Sequence, residues 1–425
     1  MNTFFQKLKL VFQDKSLRNR VIFMLASLVV FRLLAVIPIP GVDIGKLQAF
    51  FNSNQFFGLL NIFSGGGLST LSIVMLGVGP YITASIIMQL LTMMSPSLKA
   101  MYQEDGEAGR KKFSQYSRLL TVPLALIQGF GFIILLERQG VLGTLGGMSL
   151  ITSVISIVAG SVLLMWLGEL MTEFGIGNGV SMIIFSGIVS RIPTALSQLA
   201  YSYTPAQIPL YVGIVIVALA VIFLVVVITE AERPIPVTYA KQVRGNKVYG
   251  GVSTYLPLRL NQAGVIPIIF ALSILLFPQM IFNVLSHVGN ATVNAISKNI
   301  LDIIANQWVY AIAYFVLVFL FTYFYTAVTF DPHQISTNLQ RGGAFIPGIR
   351  PGDSTSEYLS KVVTRITLVG AVFLGAIAVL PVILPLLFVG IPKSMAVGGT
   401  AVLIVVSVVL DLVKKIDAQV SMREY

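Results

Sequence analysis

The chain has 425 residues, of which 56% are hydrophobic and 11% charged, and its net charge is +11. A mean hydropathy of +0.87 and repeated apolar runs exclude a soluble multidomain protein and predict one polytopic membrane domain. The lack of cysteine excludes a disulfide framework and a thiolate metal site. With only two histidines, carboxylate–imidazole metal chemistry is a poor fit, and the basic excess reads as cytosolic anchoring rather than nucleic-acid binding.

The first apolar run, Val21 to Ile37, ends in Pro38-Ile39-Pro40-Gly41 without a small-x-small cleavage site. It is predicted to be a span and not a removable signal peptide. Residues 59–94 read as one and a half membrane segments. Leu59 to Phe63 begins apolar, Ser64-Gly65-Gly66-Gly67-Leu68-Ser69-Thr70 interrupts it, and Ile73 to Met94 follows as a full run. The first piece is too short to cross a bilayer core that needs about 20 apolar residues. Irregular backbone at membrane depth survives only where protein or a water-filled cavity surrounds it. The segment therefore implies a pore or transporter rather than a bundle of plain anchors.

Ten crossing segments are predicted at 21–38, 73–94, 119–136, 149–168, 180–199, 209–229, 263–283, 308–330, 366–388 and 395–413. Their loops sort the charges. One set, including Lys99, Arg118, Arg233, Arg259, Arg341, Lys361 and Lys414, holds 22 basic residues; the opposite set holds Lys46, Arg138, Arg191, Lys298 and Lys393. The positive-inside rule places the richer set and both termini in the cytosol. Arg32 lies within the first span. Ten spans divide into two halves of five with inverted pseudo-symmetry, although no residue-level repeat is evident.

Gly175-Ile176-Gly177-Asn178-Gly179 has the look of a nucleotide loop, but it lies between two spans with no strand before it and reads as a tight cytosolic turn. Two cytosolic loops exceed the length of connectors. Residues 230–262 place Val237-Thr238-Tyr239 and Lys247-Val248-Tyr249 around Arg244-Gly245-Asn246, which predicts a short hairpin. Residues 331–365 pass through Arg341-Gly342-Gly343 and Ile349-Arg350-Pro351-Gly352 to Ser354-x-x-Glu357, which resembles a capping box before the ninth span. Long ordered loops are usually functional; the plain alternative is two solvated basic loops that set topology.

No HExxH, Walker A or GxSxG motif is present. Acidic residues are missing from the middle of every predicted span, and Glu169 and Asp411 fall at cytosolic ends. Ion-coupled carriers commonly place ionisable groups at the midplane. What remains at mid-depth is apolar: Ile82 and Ile86 share one helix face, and Ile184, Ile269 and Ile404 lie near the middles of three other spans. Taken alone, such isoleucines are packed or lipid-facing residues. A passive channel, a secondary solute carrier and, with little support, an intramembrane protease remain open on these residues.

The ordered stretches decide further. Ile39-Pro40-Gly41, Ile62-Phe63-Ser64-Gly65-Gly66 and Pro80-Tyr81-Ile82-Thr83-Ala84-Ser85-Ile86-Ile87-Met88-Gln89-Leu90-Leu91 are followed by Gly175-Ile176-Gly177-Asn178-Gly179, Ala263-Gly264-Val265-Ile266-Pro267 and Gly343-Ala344-Phe345-Ile346-Pro347-Gly348-Ile349-Arg350-Pro351-Gly352. Over nearly its whole length the chain resembles the SecY family, the channel-forming subunits of the bacterial protein-conducting translocon.

The resemblance implies an all-α polytopic membrane protein of ten transmembrane helices in two five-helix halves, residues 1–205 and 206–425, with a re-entrant plug helix at about 59–72. It implies a passive, non-enzymatic channel that moves signal-bearing preproteins across the bacterial cytoplasmic membrane and releases membrane helices sideways into lipid. A pore ring then falls on Ile82, Ile86, Ile184, Ile269 and Ile404. The plug falls on Asn61, Ile62, Phe63, Ser64, Gly65, Gly66, Gly67, Leu68, Ser69 and Thr70, and its glycines and hydroxyls predict loose packing. A lateral gate forms between spans two and three and spans seven and eight, with Gln89, Thr92 and Asn261 as its polar positions. The docking surface falls on Arg350, Arg244 and Lys247. The implied partners are the small membrane subunits SecE and SecG, the SecA motor ATPase, the ribosome, preproteins with signal sequences and the lipid bilayer; no cofactor or metal is implied.

Overall fold

The computed structural model describes residues 13–39, 66–68, 70–103, 105–138, 140, 142–143, 146–190, 192–193, 197, 208–240, 242–244, 247–249, 253–285, 291–387 and 398–421. Its helices are α1 (Lys15–Leu34), α2 (Gly79–Met94), α3 (Pro96–Gln103), α4 (Gly106–Arg138), α5 (Gly147–Phe174), α6 (Gly179–Val189), α7 (Ile208–Glu230), α8 (Ile266–Leu285), α9 (Ala291–Ala305), α10 (Gln307–Thr329), α11 (Pro332–Arg341), α12 (Asp353–Leu387) and α13 (Gly398–Ser421). Each predicted span overlaps one of them, α1, α2, α4, α5, α6, α7, α8, α10, α12 or α13, the fifth span only over residues 180–189. Among the described residues, four helices are long and apolar enough to cross a membrane alone. The boundary drawn between the halves, 205/206, lies outside the described residues.

Local chemistry sets the helix ends. Asp14 caps α1 by accepting from the Ser16 N–H at 2.8 Å, and Asp331 caps α11 by accepting from His333 at 3.0 Å. Pro80 sits in the first turn of α2, where its missing N–H costs nothing. The second span accordingly begins its helix at Gly79, later than the apolar run does. Ser95 precedes Pro96 and is extended, with φ −123° and ψ 112°, so α2 stops there and α3 leaves in a new direction. The glycine cluster at 175–179 is the tight turn expected: Gly177 has φ 93°, and Asn178 caps α6 by accepting from Ser181 at 3.2 Å.

The helices are apolar on most of their circumference. In α1, Ile22, Leu25, Val29 and Leu33 are exposed while Met24, Ser27 and Phe31 are buried, as for a helix with one protein-facing and one lipid-facing side. Close crossings use glycine. A Cβ on Gly160 would lie 2.1 Å from the carbonyl oxygen of Ile73, and one on Gly179 would lie 2.1 Å from that of Gly168. One large buried cluster joins residues from α1, α2, α5, α6, α7, α8, α10, α12 and α13.

The two long loops are not separate. They hold β1 (Glu232–Tyr239), β2 (Gln242–Arg244), β3 (Lys247–Tyr249), β4 (Ser253–Arg259) and β5 (Ala344–Phe345). A three-stranded antiparallel sheet has the order β4-β1-β5, with Ile235 opposite Leu256 and Tyr239 opposite Ala344. Pro234 and Pro236 lie where β1 has β4 as its neighbour and β5 does not reach, so their missing donors break no second ladder. Ile235, Val237, Leu258, Ala344 and Ile346 pack on Leu359, Val362, Val363 and Ile366 of α12. Their cluster is separate from the large one that joins the helices.

Two expectations are corrected. The hairpin around residues 245–246 pairs Lys247–Tyr249 with Gln242–Arg244, while Val237–Tyr239 pairs with β4 and β5 instead, because the buried face of β1 is needed against α12. The capping box at Ser354 does not form. α12 begins at Asp353, and Glu357 turns forward to Lys361 at 2.9 Å rather than back to the helix start. The hydrogen bond and charge of Lys361 hold the Glu357 carboxyl below its usual value.

Candidate functional site

The five isoleucines singled out in the sequence come from four helices. Ile82 and Ile86 stand on α2, Ile184 on α6, Ile269 on α8 and Ile404 on α13. All five are buried, at 9%, 2%, 1%, 8% and 1% exposure, and all belong to the same contiguous cluster. Among the described residues, the buried polar side chains are serine, threonine, asparagine and glutamine, with no acidic or basic one. Chemically the site can do little beyond packing, excluding water and yielding. Isoleucine is stiff at χ1, and its methyls offer nothing to hydrate an ion. Among the described residues, no three of histidine, aspartate and glutamate come together to hold a metal.

α8 packs against α2 and α4 along one seam. Gln89 and Thr92 lie near the C-terminal end of α2, and Asn261 precedes α8. The structure gives no hydrogen bond between Asn261 and either Gln89 or Thr92. Thr92 Oγ1 donates within its own helix, to the carbonyl of Gln89 at 2.6 Å. Asn261 Nδ2 donates to the carbonyl of Gly264 at 3.2 Å, which shapes the turn into α8. The side-chain oxygens of Gln89 and Asn261 are buried without a hydrogen-bond partner. Tyr314 Oη on α10 shares that condition.

Of the plug positions, Gly66, Gly67, Leu68 and Thr70 are described, while Asn61, Ile62, Phe63, Ser64, Gly65 and Ser69 lie outside the described residues. The described part is a series of turns and is not loosely packed. Leu68 and Leu71 are 0% and 1% exposed, in a cluster with Ile39, Phe132, Ile133, Leu136 and Ile157. Thr70 Oγ1 donates to the Ala35 carbonyl at 2.8 Å, the Ile39 N–H to Leu71 at 2.9 Å, and the Ile73 N–H to Ile37 at 3.0 Å. Loose packing inferred from glycines and hydroxyls therefore fails for 66–72. The two leucines and the backbone hydrogen bonds outweigh composition.

Arg350 is exposed on the loop after β5. Its carbonyl accepts from Thr355 Oγ1 at 2.9 Å, the neighbouring Gly352 carbonyl accepts from Ser336 Oγ at 2.6 Å, and Gly348 and Gly352 have φ of 83° and 101°. A fixed backbone thus presents a free-standing guanidinium. Arg244 and Lys247 are cross-strand partners at the turn end of the β2–β3 ribbon.

One node escaped sequence reasoning. Glu169 on α5 is a hub: Arg118 Nε on α4 donates to it at 2.7 Å, Tyr81 Oη at 3.4 Å and Ser114 Oγ at 3.5 Å. It ties the helix carrying Ile82 to its two neighbours. The available signal was that Arg118 and Glu169 occupy the predicted cytosolic ends of consecutive spans.

Comparison with known proteins gives the family and the fold. The family model described as SecY matches residues 72–413. A relative named protein translocase subunit SecY, from Streptomyces galbus, is 42% identical over 430 residues, covering 97% of each chain. A solved structure described as a protein-conducting channel superposes with a TM-score of 0.63 at 19% identity, covering 94% of this chain and 91% of that one. Sec61 in the canine ribosome–channel complex from the endoplasmic reticulum superposes with a TM-score of 0.59 at 18% identity, again over 94% and 91%. At these identities the two structures speak for the fold.

Proposed function

The chain belongs to the SecY family, and from that premise we propose how it works as a protein-conducting channel. Ile82, Ile86, Ile184, Ile269 and Ile404 form the collar that seals it. The observation that carries this reading is the convergence of five isoleucines from four helices in one buried hydrophobic cluster. A narrow apolar constriction stops ions by excluding water, and its side chains can close around an extended polypeptide. The seam of α8 against α2 and α4 is the lateral gate, with Gln89, Thr92 and Asn261 as its polar positions. The segment at about 59–72 is the plug, and the halves 1–205 and 206–425 part to let an apolar segment leave sideways.

The channel is passive and not an enzyme. The energy comes from the SecA motor ATPase or a translating ribosome, docked on the cytosolic platform that carries Arg350, Arg244 and Lys247. The ribosome-bound state of the canine relative supports the second partner. SecE and SecG complete the complex in the bacterial cytoplasmic membrane, with both termini in the cytosol, as the loop charges favour.

The test is reconstitution of the chain with its small subunits in liposomes, with motor ATPase, ATP and a signal-bearing preprotein. The expected result is ATP-dependent protection of the preprotein from external protease. Failure of protection, with uptake of a small solute instead, would move the chain to the carrier class.

A further inference from the structure

The described helix of the fifth span breaks after Val189, and Ile192 and Pro193 are helical again beyond Ser190. α6 runs from Gly179 to Val189 and has 11 residues, or roughly 16 Å, about half of the ~30 Å apolar core. Pro193 supplies a cause. It has no N–H for the Val189 carbonyl, and its ring crowds that oxygen. A helix end leaves carbonyls without intrahelical donors and a partial negative charge. α6 has no basic residue in its own last turn.

The cation arrives from another helix. Arg32, near the outer end of α1, donates from Nη2 to the carbonyl of Ser186 in that last turn. The same carbonyl accepts the Ser190 N–H at 3.1 Å. Ile184 and Ile188 flank Ser186 on α6, Phe31 and Ala35 flank Arg32 on α1, and all four belong to the cluster that contains the collar. A guanidinium within a span is costly and stays charged, which makes it a functional residue by default. Snorkelling towards headgroups would require no partner on the fifth span.

We propose that Arg32 is a positioning residue for the constriction: it joins the first span to the end of α6 and so holds Ile184 in the closed collar. The inference rests on the collar reading above. Without the guanidinium, α6 is free to shift, Ile184 leaves its place for part of the time, and the resting channel passes ions.

The experiment compares Arg32→Leu, Arg32→Gln and Arg32→Lys with wild type in the full reconstituted complex, and includes Ile184→Asn. Resting ion conductance is read in planar bilayers. Spin labels at Leu33→Cys and Val189→Cys, both exposed positions in a chain without native cysteine, read the α1–α6 distance. Two uncharged variants keep the comparison intact if one fails to assemble. Loss of one interhelical contact predicts about a three- to tenfold rise in conductance for Leu and Gln, largely reversed in Lys, with a broadened label distance. Tight Leu and Gln channels beside a leaking Ile184→Asn channel would overturn the role of Arg32 and leave the collar standing. Leaking Arg32 variants beside a tight Ile184→Asn channel would overturn both.

Discussion

Thr70 Oγ1 donates a 2.8 Å hydrogen bond to the carbonyl of Ala35, so the stretch that leads into the second span is fastened to the end of the first. Leu68 and Leu71 seat the same stretch in a buried cluster against α4 and α5. Two deletions should therefore behave differently. Removing 61–65 should leave a folded, translocating and leaky protein. Removing 61–71 takes both leucines and should also lower the midpoint of thermal unfolding. Leu68→Ala alone should cost about 2–5 kcal/mol. Equal thermal stability of the two deletions would show that the anchor contributes nothing.

Gln89 and Asn261 each bury a side-chain oxygen without a partner. Leaving such an atom unsatisfied costs about 1–3 kcal/mol, and the cost falls on the packed, closed arrangement. Gln89→Leu should accordingly favour the closed seam. The hydrophobicity a segment needs before it leaves into lipid should rise. Insertion measured over a series of Leu/Ala test segments gives the threshold; a lower threshold would place Gln89 away from the seam.

Glu169 receives Arg118 at 2.7 Å, with side-chain exposures of 46% for the arginine and 16% for the glutamate. Partial exposure keeps the pair modest. A double-mutant cycle with Arg118→Met and Glu169→Leu should give a coupling of about 0.5–1 kcal/mol in thermal unfolding. Tyr81→Phe should change little in stability, since its 3.4 Å contact is long. A coupling indistinguishable from zero would demote the node to a surface pair.

Arg350 stands on a backbone fixed by Thr355 and Ser336, so a change of its side chain should leave the fold intact. Arg350→Glu should preserve insertion and assembly and reduce motor-driven translocation on the order of tenfold or more, as loss of a close charged contact does. Arg350→Lys should recover only part, because lysine lacks the planar fork. Translocation and stimulated ATPase activity measured together decide the matter, and normal translocation by the Glu variant would return Arg350 to a topology role.

The spans were legible because long apolar runs leave few alternatives, and each of the ten overlaps a described helix. The proposed collar rests on resemblance at the level of sequence, since an isoleucine such as Ile404 looks the same there whether it faces a pore or lipid. The sheet was half legible. The strand character of Val237–Tyr239 showed, but its partner Ala344 lies more than 100 residues away, beyond what local pattern can register. Ser354 and Glu357 misled because a capping motif is defined by spacing alone, while Gly352 and Asp353 start the helix earlier. Composition misjudged residues 66–72 for a similar reason: two leucines among glycines decide the packing.

The central claim is that the five isoleucines seal the channel, and resting conductance of Ile82→Asn, Ile184→Asn and Ile404→Asn complexes in planar bilayers tests it most directly. An amide at the constriction offers water a hydrogen-bond partner where none existed, which ends the dewetting that stops ions. The account predicts higher resting conductance for all three, with assembly and motor-driven translocation retained. Three variants that stay as tight as wild type would contradict it.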